Sequence, residues 1–233
     1  MIKGILEKVV SEVKNKFKDN LIGIILYGSW AKGTAKEDSD IDLLAVFDKI
    51  DNNIVKTLYK IESSNDSERS ITIVPASKED FQKEKNPLFT AVKKEGKIIW
   101  GNVNLAINSE PPEIKYADYF KKSKEVETKK VEMAEGILKE SPDYGSAVLC
   151  FVASKHAIQM ALAMKGLGYS SKVAVLLPLV KEHISIDVAM KFKKLFEFYI
   201  KSEYGMEFLT EDEARLAIEY AKSIIDICYG IET

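Results

Sequence analysis

The sequence predicts an α/β (α+β) domain with a mixed sheet over residues 1–109, followed by an all-α helical bundle over residues 110–233. Three observations predict it. Short runs rich in isoleucine and valine, closed by Gly or Pro, alternate with helical-period segments in the first part. The composition changes near Asn108–Pro112. Beyond Pro111-Pro112 nearly every segment repeats its apolar residues at helical spacing.

Taken in order, Ile2, Ile5, Leu6, Val9, Val10, Val13 and Phe17 recur at helical spacing, so residues 2–18 form an amphipathic helix. The apolar run 21–27 reads as a buried strand ended by Gly28. Residues 39–47 alternate and then turn apolar, a second strand. Asp51 or Asn52 caps a helix carrying Ile54, Leu58 and Ile61. Residues 71–74 form a third strand, closed by Pro75. Ser77 with an acid three residues on, and then Asn86-Pro87, are helix starts. Residues 98–100 make a last short strand. In the second part a long charged helix spans 116–139, and Ser141-Pro142 caps another whose inward face includes Tyr144, Phe151 and Ile158. Three more follow, over 172–183, 186–204 and 210–229, the last opened by the capping box Thr210-Glu211-Asp212-Glu213. The expectation is a bundle of four or five helices.

The chain has 233 residues, enough to bury a sizeable core, and 34 basic against 36 acidic residues. A formal net charge of -2 gives no field that would gather nucleic acid, which is not expected as a partner. No run of about 18 uncharged apolar residues occurs, so no membrane span is expected. Cys150 and Cys228 sit in apolar helical stretches and read as reduced core residues. With an N-terminus that opens on an amphipathic pattern rather than an apolar leader block, the expected location is cytoplasmic.

The chemistry concentrates in Leu26-Tyr27-Gly28-Ser29-Trp30-Ala31-Lys32-Gly33-Thr34 and the following Asp38-Ser39-Asp40-Ile41-Asp42-Leu43. A strand runs into Gly-Ser and then a short helical turn. Gly28 lets a phosphate approach the backbone, and Ser29 with the N–H groups of the next turn can donate to it. Asp40 and Asp42, two apart on a strand, project from one face. Paired hard oxygen ligands beside a phosphate cradle suit Mg²⁺ on a nucleoside triphosphate. Two such ions roughly 3.5–4 Å apart can clamp both oxygens of an in-line displacement. Trp30 is placed either to stack on a base or to pack beside the site. Lys32 and Lys36 stand where phosphates would be met, and are equally ordinary loop residues.

These residues resemble the DNA polymerase β-like nucleotidyltransferase superfamily, in its minimal nucleotidyltransferase branch. The similarity covers about the first hundred residues and includes the closing Glu95-Gly96-Lys97-Ile98-Ile99-Trp100-Gly101. The resemblance implies that residues 1–109 are a nucleotidyltransferase-like domain in which Gly28 and Ser29 hold the triphosphate, while Asp40 and Asp42 are the catalytic, Mg²⁺-binding acids. Residues 110–233 resemble a HEPN-like helical bundle domain, on pattern rather than on a sharp motif. The implied activity moves a nucleoside monophosphate from a nucleoside triphosphate, expected to be ATP, to a hydroxyl acceptor that the sequence does not name. Small molecule, protein and nucleic-acid end all stay open. A homodimer through the helical domains is a further implication.

The sequence departs from the family at two points. Active members add a third carboxylate as base on a later strand, and the aligned position here is Thr72. Glu68 shares its face by period two, but four residues of strand span about 13 Å. Asp66 and Asp80 are loop or helix-start alternatives. The resulting rival expectation is a catalytically impaired nucleotide-binding or regulatory protein of toxin–antitoxin-like kind. Second, the helical half lacks the Arg-then-His spacing of HEPN ribonucleases, so that activity is not expected. His156 reads as structural, and His183 as a dipole partner in the last turn of its helix. Lys121, Lys122, Lys124, Lys129 and Lys130, interspersed with Glu125, Glu127 and Glu132, read as a solvated helix face rather than a nucleic-acid site.

Overall fold

The structure is a computed structural model that describes residues 2–37, 39–65, 69–140, 145–205 and 208–230. The chain divides into two compact units, Met1–Ser109 and Glu110–Thr233.

In the first unit, helix α1 (Ile2–Phe17) leads through a single 3₁₀ turn into strand β1 (Leu21–Tyr27). A five-residue helix α2 (Gly28–Lys32), strand β2 (Ile41–Phe47) and helix α3 (Asn52–Ser63) follow. Strand β3 (Ile71–Ser77), helices α4 (Lys78–Lys83) and α5 (Pro87–Glu95), and strand β4 (Lys97–Gly101) complete it. The sheet order is β3-β2-β1-β4. β1 runs antiparallel to both neighbours and β2 parallel to β3, so the sheet is mixed, as expected. The caps act as the sequence indicates. Asp51 accepts from the Ile54 N–H at 2.9 Å, Ser77 from Asp80 at 3.1 Å and Asn86 from Leu88 at 2.9 Å.

Side-chain alternation sorts the strands onto two cores. Ile41, Leu43, Ala45 and Phe47 of β2 pack with Val9 and Val13 of α1 and Ile54, Leu58 and Ile61 of α3. Leu44 and Val46 face the other way, against Phe81 of α4 and Phe89 and Val92 of α5. Asp42 belongs by period two to this second face, at its end.

β4 is one residue longer at each end than expected, and two other strand boundaries differ in ways that matter. β2 starts at Ile41 rather than 39, so Asp40 immediately precedes the strand. β3 continues through Pro75 to Ser77, where a stop was expected. A proline is tolerated because β3 is an edge strand and needs no ladder donor on its free side. That free side is partly closed by Glu62 of α3, whose carboxylate accepts the Ile73 N–H.

An ion pair that charge patterning did not anticipate lies inside this unit. Lys93 of α5 meets Glu84 at 3.0 Å with both side chains buried. Glu84 also accepts from Thr90 at 2.7 Å and from the Asn108 N–H at 2.6 Å, while Lys93 donates to the Gln82 carbonyl at 3.0 Å. A buried carboxylate is tolerated on such terms, fully hydrogen-bonded and paired. The network ties the segment after β4 back onto α4 and α5.

The second unit contains α6 (Pro112–Lys115), α7 (Ala117–Glu140), α8 (Ser146–Met164), α9 (Val173–His183), α10 (Ile186–Tyr204) and α11 (Glu211–Tyr229). α8 is the core helix, surrounded by α7, α10 and α11. It is long and apolar enough to cross a membrane by length and composition, yet 67% of that window is buried inside the protein. The expected cap at Ser141-Pro142, with Tyr144, lies outside the described residues; α8 is described from its N-cap Gly145 onward. The capping box of α11 forms in both directions, Glu213 N–H to the Thr210 hydroxyl at 3.2 Å and Thr210 N–H to the Glu213 carboxylate at 2.9 Å. Cys150 and Cys228 are free and buried, and burial pushes both thiols up to about 12.

The α7 lysine-rich segment needs one correction. Glu127 is not on a solvated face: it is 3% exposed, with Lys130 at 2.7 Å and His156 Nδ1 at 3.2 Å. His156 therefore helps hold a buried carboxylate between α7 and α8. Lys121, Lys122, Lys124 and Lys129 are exposed, alternating with exposed Glu125 and Glu132.

Candidate active site

β1 ends at Tyr27, whose register partner on β2 is Asp42. The next residue, Gly28, turns the chain with φ of 70° into α2. A left-handed conformation of that kind disfavours any side chain, and here a side chain has a second obstacle. A Cβ on Gly28 would lie 2.3 Å from Oδ2 of Asp42. The Asp42 carboxylate thus lies directly over the glycine backbone, which is how Gly-Ser and the acid come to share one site.

α2 is one turn long, and the Tyr27 side chain at its N-cap does not cap it. The Ser29 carbonyl takes the Gly33 and Thr34 N–H groups that close the turn. The Ser29 hydroxyl makes no hydrogen bond among the described residues and is free to donate to a ligand.

The loop between α2 and β2 is braced by two side chains. The Trp30 indole donates to the Ser39 carbonyl at 3.1 Å, and the Arg69 guanidinium lies 5.4 Å from the Trp30 ring centroid. Arg69 also donates to the Glu37 carbonyl. Ser39 closes a local turn by accepting from the Lys36 N–H at 2.8 Å. Trp30 packs against the α1–α3 core, so of its two expected roles the structure shows packing and bracing. Arg69 carried no motif signal, and Ser39 stood within the motif stretch without an assigned role. Only the approach of the β3 start to this loop, sealed by Ile41 N–H to Ser70 O at 2.9 Å, reveals them. Lys32 pairs with Glu95 at 2.7 Å.

Asp40 and Asp42 come together at this edge of the sheet. Burial, and then the nearby Asp40 charge, hold the Asp42 carboxyl above its ordinary value. Neither acid has a cationic or hydrogen-bonding partner among the described residues. Two like charges with no counter-ion are costly to hold, and a divalent cation with oxygen preference removes that cost. The donor set therefore fits Mg²⁺.

Asp42 is in register with Thr72 on the parallel strand β3. Cross-strand neighbours share a face at roughly 5 Å, so Thr72, which is exposed, stands where a third carboxylate would join the pair. Asp80 does not take its place. It lies past the far end of β3, beyond Ser77, about 16 Å along the strand from Thr72. Lys85 engages it at 2.7 Å and holds its carboxyl below the usual value. Asp66 and Glu68 lie outside the described residues, as does Asp38.

Two consequences are measurable. Gly28→Ala is expected to cost about 1–2 kcal/mol for the left-handed conformation alone. It also displaces the Asp42 carboxylate, so denaturant melts and metal-dependent nucleotide binding should weaken together. Asp42→Asn is expected to raise the melting temperature at neutral pH. Because the folded-state pKa of Asp42 is raised, folding stability falls as pH rises through its titration; ionised Asp42 is the destabilising form. The advantage of the asparagine variant should accordingly disappear as the pH is lowered to about 4 and below. Thermal melts of both proteins across that range test the sign.

A mixed sheet carrying Gly-Ser and paired aspartates at one edge, followed by a helical bundle, defines a nucleotidyltransferase-domain protein with a HEPN domain, and the chain belongs to that family. The nucleotidyltransferase domain model matches residues 6–97 and the HEPN domain model residues 129–231. Two proteins of Methanocaldococcus jannaschii, each named Putative protein adenylyltransferase, are similar to it. With MJ1305 the identity is 52% over 46 residues, covering 20% of this chain and 31% of that one. With MJ0604 it is 32% over 100 residues, covering 41% of this chain and 94% of that one. The chain thus spans about a third of the first relative and nearly all of the second. The crystal structure of spectinomycin adenyltransferase AAD(9) from Enterococcus faecialis with ATP and spectinomycin superposes with a TM-score of 0.56. The match covers 95% of this chain and 98% of that chain, and at 16% identity it is a likeness of fold.

Proposed function

We propose that the first unit is an Mg²⁺-dependent adenylyltransferase that moves AMP from ATP to a hydroxyl group of a protein. The observation that carries this is the Asp40–Asp42 pair, with no cationic partner among the described residues, set against the Gly28–Ser29 turn. The names of the two archaeal relatives support ATP as donor and protein as acceptor.

In this proposal Gly28 and Ser29 hold the β- and γ-phosphates, the glycine by close backbone approach and the serine by its hydroxyl. Asp40 and Asp42 hold Mg²⁺, which when bound supplies charge neutralisation for the triphosphate. The acceptor oxygen forms a bond to the α-phosphorus as the bond to the β-phosphate oxygen breaks, and pyrophosphate leaves. The acceptor's proton must pass to a base. Thr72 is a poor one, and no third carboxylate joins the pair among the described residues. The Trp30–Ser39–Arg69 brace fixes the loop that delivers Asp40, and so sets the geometry of the pair.

Thr72 also favours a second reading, a regulatory protein that binds ATP without transferring it. One experiment separates the two. The protein is incubated with Mg²⁺ and α-labelled ATP together with cell-extract protein or spectinomycin. Label on protein supports the first reading, label on spectinomycin redirects it to a small acceptor, and retained but untransferred ATP supports the second.

A further inference from the structure

One hydroxyl of β3 lies level with Asp42 and on the same face. The parallel register pairs Asp42 with Thr72 and Leu44 with Val74. Leu44 and Val74 both pack into the core formed with α4 and α5, so period two puts Asp42 and Thr72 at the open end of that face. Neighbouring strands lie about 4.8 Å apart, and Thr72 is exposed. Its hydroxyl makes no hydrogen bond among the described residues. The other hydroxyls near the acids are placed differently. Ser39 is engaged by the Lys36 N–H at 2.8 Å, and Ser29 belongs to the glycine turn. Ser70 precedes the strand, its carbonyl tied to the Ile41 N–H at 2.9 Å.

A threonine at this position withholds a base and supplies an acceptor. Lacking a positioned base costs a transfer about 10²–10⁴-fold. A hydroxyl fixed beside the reacting group gains the advantage of an intramolecular reactant, with effective molarities of about 10⁵–10⁸ M for well-oriented pairs. The second effect is the larger. An acceptor built into the chain therefore dispenses with the base that an acceptor arriving from solution needs.

We propose that Thr72 is itself an adenylyl acceptor, and that the protein transfers AMP from ATP onto its own Thr72 hydroxyl, an inference that rests on the adenylyltransferase reading given above. A bond forms between Thr72 Oγ and the α-phosphorus as the bond from that phosphorus to the β-phosphate oxygen breaks. Pyrophosphate leaves, and the hydroxyl proton passes to the water that reaches an exposed side chain. The product is a threonine phosphodiester of adenosine. It holds AMP on the face of Asp42 and excludes the next ATP, so modification stops at one AMP per chain and switches the site off.

Intact mass spectrometry of the full-length protein, before and after incubation with Mg²⁺ and ATP, tests it. The expected result is a gain of one AMP per chain, mapped by fragmentation to Thr72 and not to Ser70. The rate per chain should be unchanged by dilution, as a reaction within one molecule requires. Thr72→Val should abolish the gain and Thr72→Ser should retain it; valine suits an exposed strand position, so the fold should hold. Calorimetry adds a readout apart from transfer. Unmodified protein should bind α,β-methylene-ATP, whose α–β bridge does not break, and the modified fraction should not. Protein that binds this analogue yet never gains AMP overturns the proposal alone. So does AMP on another residue, a rate per chain that rises with protein concentration, or a modified fraction that binds the analogue unchanged. Protein that binds no analogue in the presence of Mg²⁺ overturns the adenylyltransferase reading along with it.

Discussion

Replacing Asp40 and Asp42 together by alanine is expected to lower adenylyl transfer by about 10³-fold or more. Metal neutralisation of a phosphoryl group is worth several kcal/mol in the transition state, and each 1.4 kcal/mol is a factor of ten. The loss should come without a loss of folding. Asp42 is held above its ordinary pKa by burial and by Asp40, so removing the two charges relieves a repulsion instead of breaking a bond. Rate measurements with α-labelled ATP, paired with thermal melts, check both halves. A variant that is inactive but melts at or above the wild-type temperature is the expected combination. An inactive variant that is also much less stable would assign the two acids to the scaffold.

The second large effect runs in the opposite direction. Thr72→Asp is expected to raise the transfer rate, by as much as the 10²–10⁴-fold that a positioned general base contributes. Register is the reason for choosing this residue. Thr72 is level with Asp42 on the neighbouring parallel strand and exposed on the shared face, so an aspartate there needs no change of backbone. Three acids at one edge should also raise metal affinity and lower stability in the metal-free state, since like charges are then closer packed. The pH dependence of the rate is the discriminating readout. A base of carboxylate type in the variant should introduce an acid limb that the wild type lacks. An unchanged rate and pH profile would show that the reaction takes its base from elsewhere.

Much of this site was legible in the sequence because its parts are local. Gly28-Ser29 after an apolar run specifies a turn and Asp42 a strand face without tertiary information, while Asp40 lies just before the strand, and register then brings Tyr27 beside Asp42. Period two from Ile71 likewise puts Thr72 on the correct face. The strand boundaries were less legible: Pro75 reads as a stop, and only the position of β3 at the sheet edge explains why it is not one. Charged groups inside the protein escaped the sequence altogether. Glu84, Lys93 and Glu127 sit at ordinary spacings for surface residues, and their burial depends on partners 9 to 29 positions away. Arg69 was invisible for the same reason. Its role comes from Trp30 and the Glu37 carbonyl across the loop, not from its neighbours in sequence.

The central claim is that Gly28, Ser29, Asp40 and Asp42 form one metal-dependent nucleotide site, and calorimetric titration of ATP into the protein tests it most directly. With Mg²⁺ present the wild type should bind ATP, and the affinity should collapse on chelation of the metal or in the Asp40→Ala/Asp42→Ala protein. ATP binding that persists unchanged in that variant, or that is indifferent to Mg²⁺, would contradict the account.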